Sequence, residues 1–188
     1  ITLSAGNTGV MFVISRMLLK TIESVSKPAL AGLWPSKKGM SVVLDLGANI
    51  ECDEKNLVDF SEMGAALFKS IFPNQKPYVA LLNIGSEEIK GTETLKKAFL
   101  KLKELSNENN FLFNGYIEGN QLMDGNSNVI VTDGFTGNIA LKTAEGTAKF
   151  LTDNLKRSLT ETFLSKISII FSYFSLKKFK SKLDPRKY

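Results

Sequence analysis

Short apolar runs alternate with longer amphipathic ones along the 188-residue chain. Ile1 to Leu3 reads as the end of a strand, Ser4-Ala5-Gly6-Asn7-Thr8-Gly9 as a loop, and Val10 to about Glu23 as a helix. Ser41 to Leu46 (SVVLDL) is a buried strand, followed by Gly47-Ala48-Asn49 and a helix from about Glu54 to Phe72. Tyr78 to Ile84 is the next strand, leading through Gly85-Ser86-Glu87-Glu88 to a helix from about Gly91 to Asn107. Phe111 to Gly115 and Val129 to Thr132 are two further strands, and the last helix starts near Gly137. Strands that alternate with helices of this length predict an α/β fold with a mostly parallel sheet.

Four times a strand runs into a short loop of Gly with Asn, Asp, Ser or Thr, and then into a helix. A parallel sheet gathers such loops on one edge, where ligands of open α/β sheets bind. The helix N-termini behind them carry unpaired N–H groups and partial positive charge, which suits an anion. The competing reading is that these are ordinary turn and cap residues. No loop matches GxGxxG or GxxxxGK[ST], so neither a dinucleotide fold nor a P-loop is indicated.

Composition narrows the chemistry. The chain has no histidine and one cysteine, Cys52. That excludes Ser-His and Cys-His nucleophiles, His-based metal sites and an internal disulfide. A reducing, cytoplasmic location fits, and no signal peptide is visible. The chain opens on Ile1 rather than Met and reads as a segment lacking an N-terminal part and some of its C-terminal part. Its net charge of +5 sits in residues 177–188, which hold six Lys/Arg and one Asp, while the remainder has 18 of each sign. The basicity is a tail, which argues against nucleic acid as a partner.

From Ile139 onward, Ala144, Ala148, Leu151, Leu155 and Leu159 mark one face of a long helix. Residues 163–176 (FLSKISIIFSYFSL) then carry one charge and four aromatics before Lys177, Lys178, Lys180 and Lys182. Fourteen residues span only about 21 Å as a helix, too short to cross a bilayer. Two readings remain open: a segment lying on an anionic membrane, with Ile169, Ile170, Phe171, Phe174, Lys177 and Lys178 in contact, or a dimer interface.

Taken together, SAGNTG (4–9), VVLDLGAN (42–49), ALLNIGSEEIKG (80–91) and TDGFTGNIALKTAEG (132–146) closely resemble the bacterial acyl-carrier-protein:phosphate acyltransferase (PlsX) family, in order from Leu3 to about Lys156. The resemblance implies a three-layer α/β/α sandwich akin to isocitrate/isopropylmalate dehydrogenases and phosphotransacetylases. It also implies a homodimer that makes acyl-phosphate from long-chain acyl-ACP and inorganic phosphate for phospholipid synthesis, with no cofactor and no metal. The domain division would be residues 1–156 for phosphate and acyl transfer and 157–188 for a helical projection. The projection matches the family only in type, where such helices carry an apolar tip that associates peripherally with membrane. The family's chains extend beyond both ends of this one, with an N-terminal strand and glycine loop that help form the site.

By this resemblance Lys90 and Asn138 fall on catalytic positions. Lys90 would offset phosphate charge and polarise the thioester oxygen, and Asn138, at a helix start, would donate to the oxyanion. Ser4, Gly6, Asn7, Thr8, Gly47, Asn49, Asp133, Gly134 and Gly137 are the candidates for phosphate or substrate binding. Gly134 and Gly137 would let backbone approach the anion, with Phe135 packed below. A decarboxylating dehydrogenase is the runner-up. It needs a carboxylate cluster for metal, and Asp45 and Asp133 are the only strand-end aspartates. The third possibility is a non-catalytic, membrane-associated binding module.

Overall fold

In the computed structural model, residues 8–19, 21–106, 111–162 and 171–179 are described. Ser4, Gly6, Asn7, Ile169 and Ile170 lie outside them, as does the side chain of Thr8. The chain divides into two compact units, residues 1–138 and 139–188.

The first unit is built on a five-stranded sheet. Its strands are β1 (Gly32–Ser36), β2 (Gly39–Leu44), β3 (Tyr78–Leu82), β4 (Leu112–Ile117) and β5 (Val129–Val131), in the order β1-β2-β5-β3-β4. β2, β5, β3 and β4 run parallel, while β1 pairs antiparallel with β2. The helices are α1 (Thr8–Leu18), α2 (Glu54–Ile71), α3 (Glu93–Leu105) and the start of α4 (Gly134–Thr160).

The apolar runs became strands for a simple reason. Val42, Leu44, Val79, Leu81, Val129 and Val131 share one core with Leu57, Phe60 and Phe68 of α2 and with Ala98, Phe99 and Leu102 of α3. Val43, Ala80 and Ile130, which point the other way, are equally buried. Central strands buried on both faces need continuous rather than alternating apolar sequence. α2 starts where Asp53 accepts from Asn56 N and Asn56 returns a bond to Asp53 N, a reciprocal cap. Thr92 caps α3 through Leu95 N.

Several boundaries differ from the pattern's expectation. The α1 helix stops at Leu18, not Glu23. The residues after it include the β1–β2 hairpin, whose first strand the pattern did not reveal. β3 ends at Leu82 because Asn83 turns the chain, accepting from Ile84 N and donating to Lys90 O. β4 runs on to Ile117 through Gly115, which takes φ +81° at a bulge where the pairing steps from Val79↔Phe113 to Leu81↔Tyr116.

The largest difference is at α4, which begins at Gly134 rather than near Gly137 or Ile139. Asp133 caps it, accepting from Thr136 N at 2.7 Å and Thr136 Oγ1 at 2.9 Å. What reads as a polar loop is the first turn of a helix.

The second unit holds the rest of α4 and a further helix, α5, over 171–179. Leu151 and Leu155 of the expected apolar face are exposed, as are Phe171 and Phe174 at 84% and 81%. Among the described residues, no helix is long and apolar enough to cross a membrane.

Candidate active site

The carboxyl ends of β2, β5 and β3 lie side by side, and each strand delivers one piece of the site. After β2, the buried carboxylate of Asp45 organises the loop. Its Oδ1 accepts from Leu30 N, Gly47 N and Ala48 N at 3.0–3.2 Å, and its Oδ2 from Asn49 N and Asn49 Nδ2 at 2.7 and 2.8 Å. A fully buried charge is tolerated because five donors replace its water. Asn49 is buried with it, and its amide also donates to Pro28 O at 2.7 Å. Its donors are therefore committed to the loop, and it acts as a strut beneath Gly47.

After β5, the first turn of α4 packs directly on this loop. Gly134 N donates to Asn49 O at 2.7 Å. A Cβ on Gly137 would collide with the carbonyl oxygen of Asp45, and one on Gly134 would lie 2.6 Å from Asn49 O. These two glycines are explained by helix-on-loop contact, not by an approaching anion. The amides of Gly134 and Thr136 are likewise already bonded.

That packing carries Asn138 to the edge of a cleft. Its Nδ2 lies 3.4 Å from Leu46 O, above Gly47. Gly47 has φ +128°, and a Cβ there would sit 2.8 Å from that same nitrogen. Glycine is required twice over, for its left-handed φ and for the space. A cavity of about 340 Å³ opens in front, lined by Gly9, Phe12, Val13, Leu30, Leu46, Gly47, Ala48 and Asn138. Asn138 thus sits one turn inside α4 rather than at its start, because the helix begins four residues earlier. Phe135 does not pack below the site; it is 58% exposed on the outer side of that first turn.

Lys90 follows β3, the neighbour of β5, so it shares the edge but is not among the walls of the Asn138 cavity. Its ammonium lies 3.1 Å from Glu87 Oε1, and its side chain crosses the face of Gly85. Glu87 is held below the usual carboxylate range, first by its own backbone N–H and then by Lys90. Of the sequence candidates, Gly47 and Asn138 meet in the cleft; Asn49, Asp133, Gly134 and Gly137 form the packed seam behind it.

The sequence reading assigns three residues no part in the cleft. Asp45 enters the sequence reading only as a possible metal ligand, although its position two residues before Gly47-Ala48-Asn49 is the available signal for a loop organiser. Phe12 and Val13 lay in a stretch read simply as helix. Cys52 lies near the seam, with Sγ 3.8 Å from Asn49 O. Burial pushes its thiol from 9.0 up to about 11, so it stays protonated and un-nucleophilic at neutral pH.

The family model described as "Fatty acid synthesis protein" matches residues 1–188, the whole chain. The chain belongs to that family. It is the acyltransferase family that the four motifs resemble. Among its members, the chain is 62% identical over all 188 residues to the phosphate acyltransferase of Pelagibacter ubique, covering 56% of that protein. It is 42% identical over 187 residues to the phosphate acyltransferase of Rhizobium etli, covering 53% of it. The chain spans about half the length of the curated relatives it matches.

Solved structures of the same architecture include a phosphotransacetylase from Streptococcus pyogenes (TM-score 0.59, 16% identity, 77% of this chain and 49% of that one). Another is the EutD phosphotransacetylase from Staphylococcus aureus (TM-score 0.57, 17% identity, 72% and 46%). At such identities the likeness establishes the fold alone, an α/β fold with a mostly parallel sheet.

Proposed function

We propose that this protein transfers a long-chain acyl group from acyl-ACP to inorganic phosphate, forming acyl-phosphate for phospholipid synthesis. The carrying observation is the 62% identity, over every residue of this chain, to a protein named phosphate acyltransferase. A phosphate oxygen attacks the thioester carbonyl carbon, a tetrahedral oxyanion forms, and the C–S bond breaks to release the carrier's thiolate. Phosphate is an anionic nucleophile at neutral pH and thiolate a stable leaving group, so the reaction needs no histidine. The protein's task is positioning and charge stabilisation.

In this reading Asn138 Nδ2 donates to the oxyanion without neutralising the nucleophile. Lys90 leaves Glu87 to counter phosphate charge and polarise the thioester oxygen. Backbone around Gly47 borders the phosphate, joined by the Ser4, Gly6, Asn7, Thr8 loop. Asn49, Asp133, Gly134 and Gly137 support the site from behind. The dehydrogenase alternative loses ground because the carboxylates it would need, Asp45 and Asp133, are filled by N–H and O–H donors.

We further propose a homodimer of isocitrate dehydrogenase-like α/β/α subunits, in the cytoplasm. Residues 1–156 would form the transfer domain and 157–188 a projection resting on the inner face of the cell membrane. Exposed Phe171 and Phe174 beside Lys177 and Lys178 support that contact.

The test is acyl-phosphate formation by the full-length protein from palmitoyl-ACP, trapped as hydroxamate. Product should require inorganic phosphate and no nicotinamide. Free fatty acid released at a rate indifferent to phosphate would overturn the assignment.

A further inference from the structure

A second cavity adjoins the first along α1. It has a volume of about 270 Å³ and lies between α1, residues 21–28 and α2. Phe12 lines both cavities. Leu19, Ile22, Val25, Pro28 and Met63 make its other apolar walls, and Ser15, Arg16 and Thr21 complete the lining. Leu19 continues the helical turn through its N–H bond to Ser15 O. Gly9, at the mouth of the Asn138 cleft, and Leu19, at the second cavity, are therefore separated by roughly 15 Å along one helix, at 1.5 Å per residue.

Nothing in the transfer chemistry uses this second space. Its rim nevertheless leaves Leu19 62% and Ile22 72% exposed, apolar surface that water penalises. A ligand suited to it is apolar and slender along most of its length, and through the shared wall at Phe12 it can begin at the Asn138 cleft.

We propose that this second cavity holds the fatty acyl chain while its thioester carbonyl lies beside Asn138. The proposal rests on the acyl-transfer reading above and adds the element that selects chain length. Phe12 is the hinge point: the carbonyl end lies on its Gly47 side and the methylene chain on its Met63 side. Each methylene buried there strengthens binding by about fourfold, so long chains gain over short ones.

Two variants of the full-length protein test it, Ser15→Phe from the half-exposed helix side and Met63→Trp from α2, both of which narrow the cavity. Binding is read with cis-parinaric acid, a fluorescent fatty acid, and turnover as acyl-phosphate from palmitoyl-ACP and butyryl-ACP. Parinarate affinity should fall at least tenfold, and the palmitoyl-to-butyryl ratio of kcat/KM should fall at least tenfold. Ser15→Phe is the safer fold, and melting temperature checks both variants.

If natively melting variants keep wild-type parinarate affinity and chain-length ratio, the cavity is not the acyl site, whatever the enzyme does. An equal loss at both chain lengths, as from a second copy of the chain or an apolar peptide occupying this groove, overturns it too. If parinarate binds and both variants weaken it, but no acyl-phosphate ever forms, the cavity assignment stands and the acyl-transfer reading falls.

Discussion

Replacing Gly137 by alanine should destabilise the protein, although alanine is the better helix former. The new Cβ would collide with the backbone carbonyl of Asp45 and lie 2.9 Å from Thr132 Cγ2. Overpacking of this kind costs typically about 1–3 kcal/mol, and here backbone rather than a flexible side chain must yield, which favours the upper half. Helix propensity returns about 1 kcal/mol. The net loss is about 1–2 kcal/mol, which at this chain length lowers Tm by roughly 2–8 °C.

Gly146, on the same helix, is the internal control: nothing lies within 4 Å of its added Cβ. Gly146→Ala should therefore raise stability by up to about 1 kcal/mol. Thermal melts and urea titrations of both variants read this directly. Because Asn138 follows Gly137, the first variant should also lose turnover, while Gly146→Ala should not. A Gly137→Ala protein as stable as Gly146→Ala would refute the claim that α4 is seated on the Asp45 loop.

Four other outcomes follow from the site. Asn138→Ala should cost about 2.7–4 kcal/mol of transition-state stabilisation, read as kcat, and Lys90→Ala at least as much with an unchanged melt; near-native rates in both would remove them from the chemistry. Asp45→Asn turns an NH₂ group toward N–H donors and should cost about 1–3 kcal/mol for each one stranded, measured by urea unfolding. Cys52, raised from 9.0 to about 11 by burial, holds its proton more tightly folded than unfolded. Its contribution to stability should thus be constant below pH 9 and be lost as pH rises from 9 through 11, so the wild type should lose more stability over that interval than Cys52→Ser, measured by urea unfolding. Liposome flotation of the full-length protein should weaken with salt and with Phe171→Glu or Phe174→Glu, since each lysine near an anionic surface supplies roughly 1 kcal/mol.

The parallel core was legible because its strands are buried on both faces and carry uninterrupted apolar runs such as VVL and YVALL. The hairpin partner β1 was not, because GLWPS is short, contains proline and borrows its structure from β2. The seam at 133–138 misled for a specific reason. Gly, Thr and Asn have low helix propensity, yet Asp133 caps the turn and the glycines meet a close neighbour. Local preference was overruled by a contact from the Asp45 loop, distant in sequence. Asn138 was reached by motif alone, and no periodicity could have shown that Gly47 faces it. The role of Asp45 as an acceptor for five donors depends on backbone directions that only the folded loop defines.

The place of β5 bears on how the molecule assembles. It is the last of the described strands and the middle strand of the sheet, pairing Val129 with both Val42 and Val79. Before it arrives, β1–β2 and β3–β4 are separate ribbons whose facing edges have open hydrogen-bonding groups. Such edges invite pairing with other chains. Without residues 129–131 these two pairs of strands are not joined to each other. Joining them is a long-range closure, the slow kind of step in folding. Three residues, Val129, Ile130 and Val131, thus join the two halves of the described sheet and cover edges that would otherwise be open to misassembly.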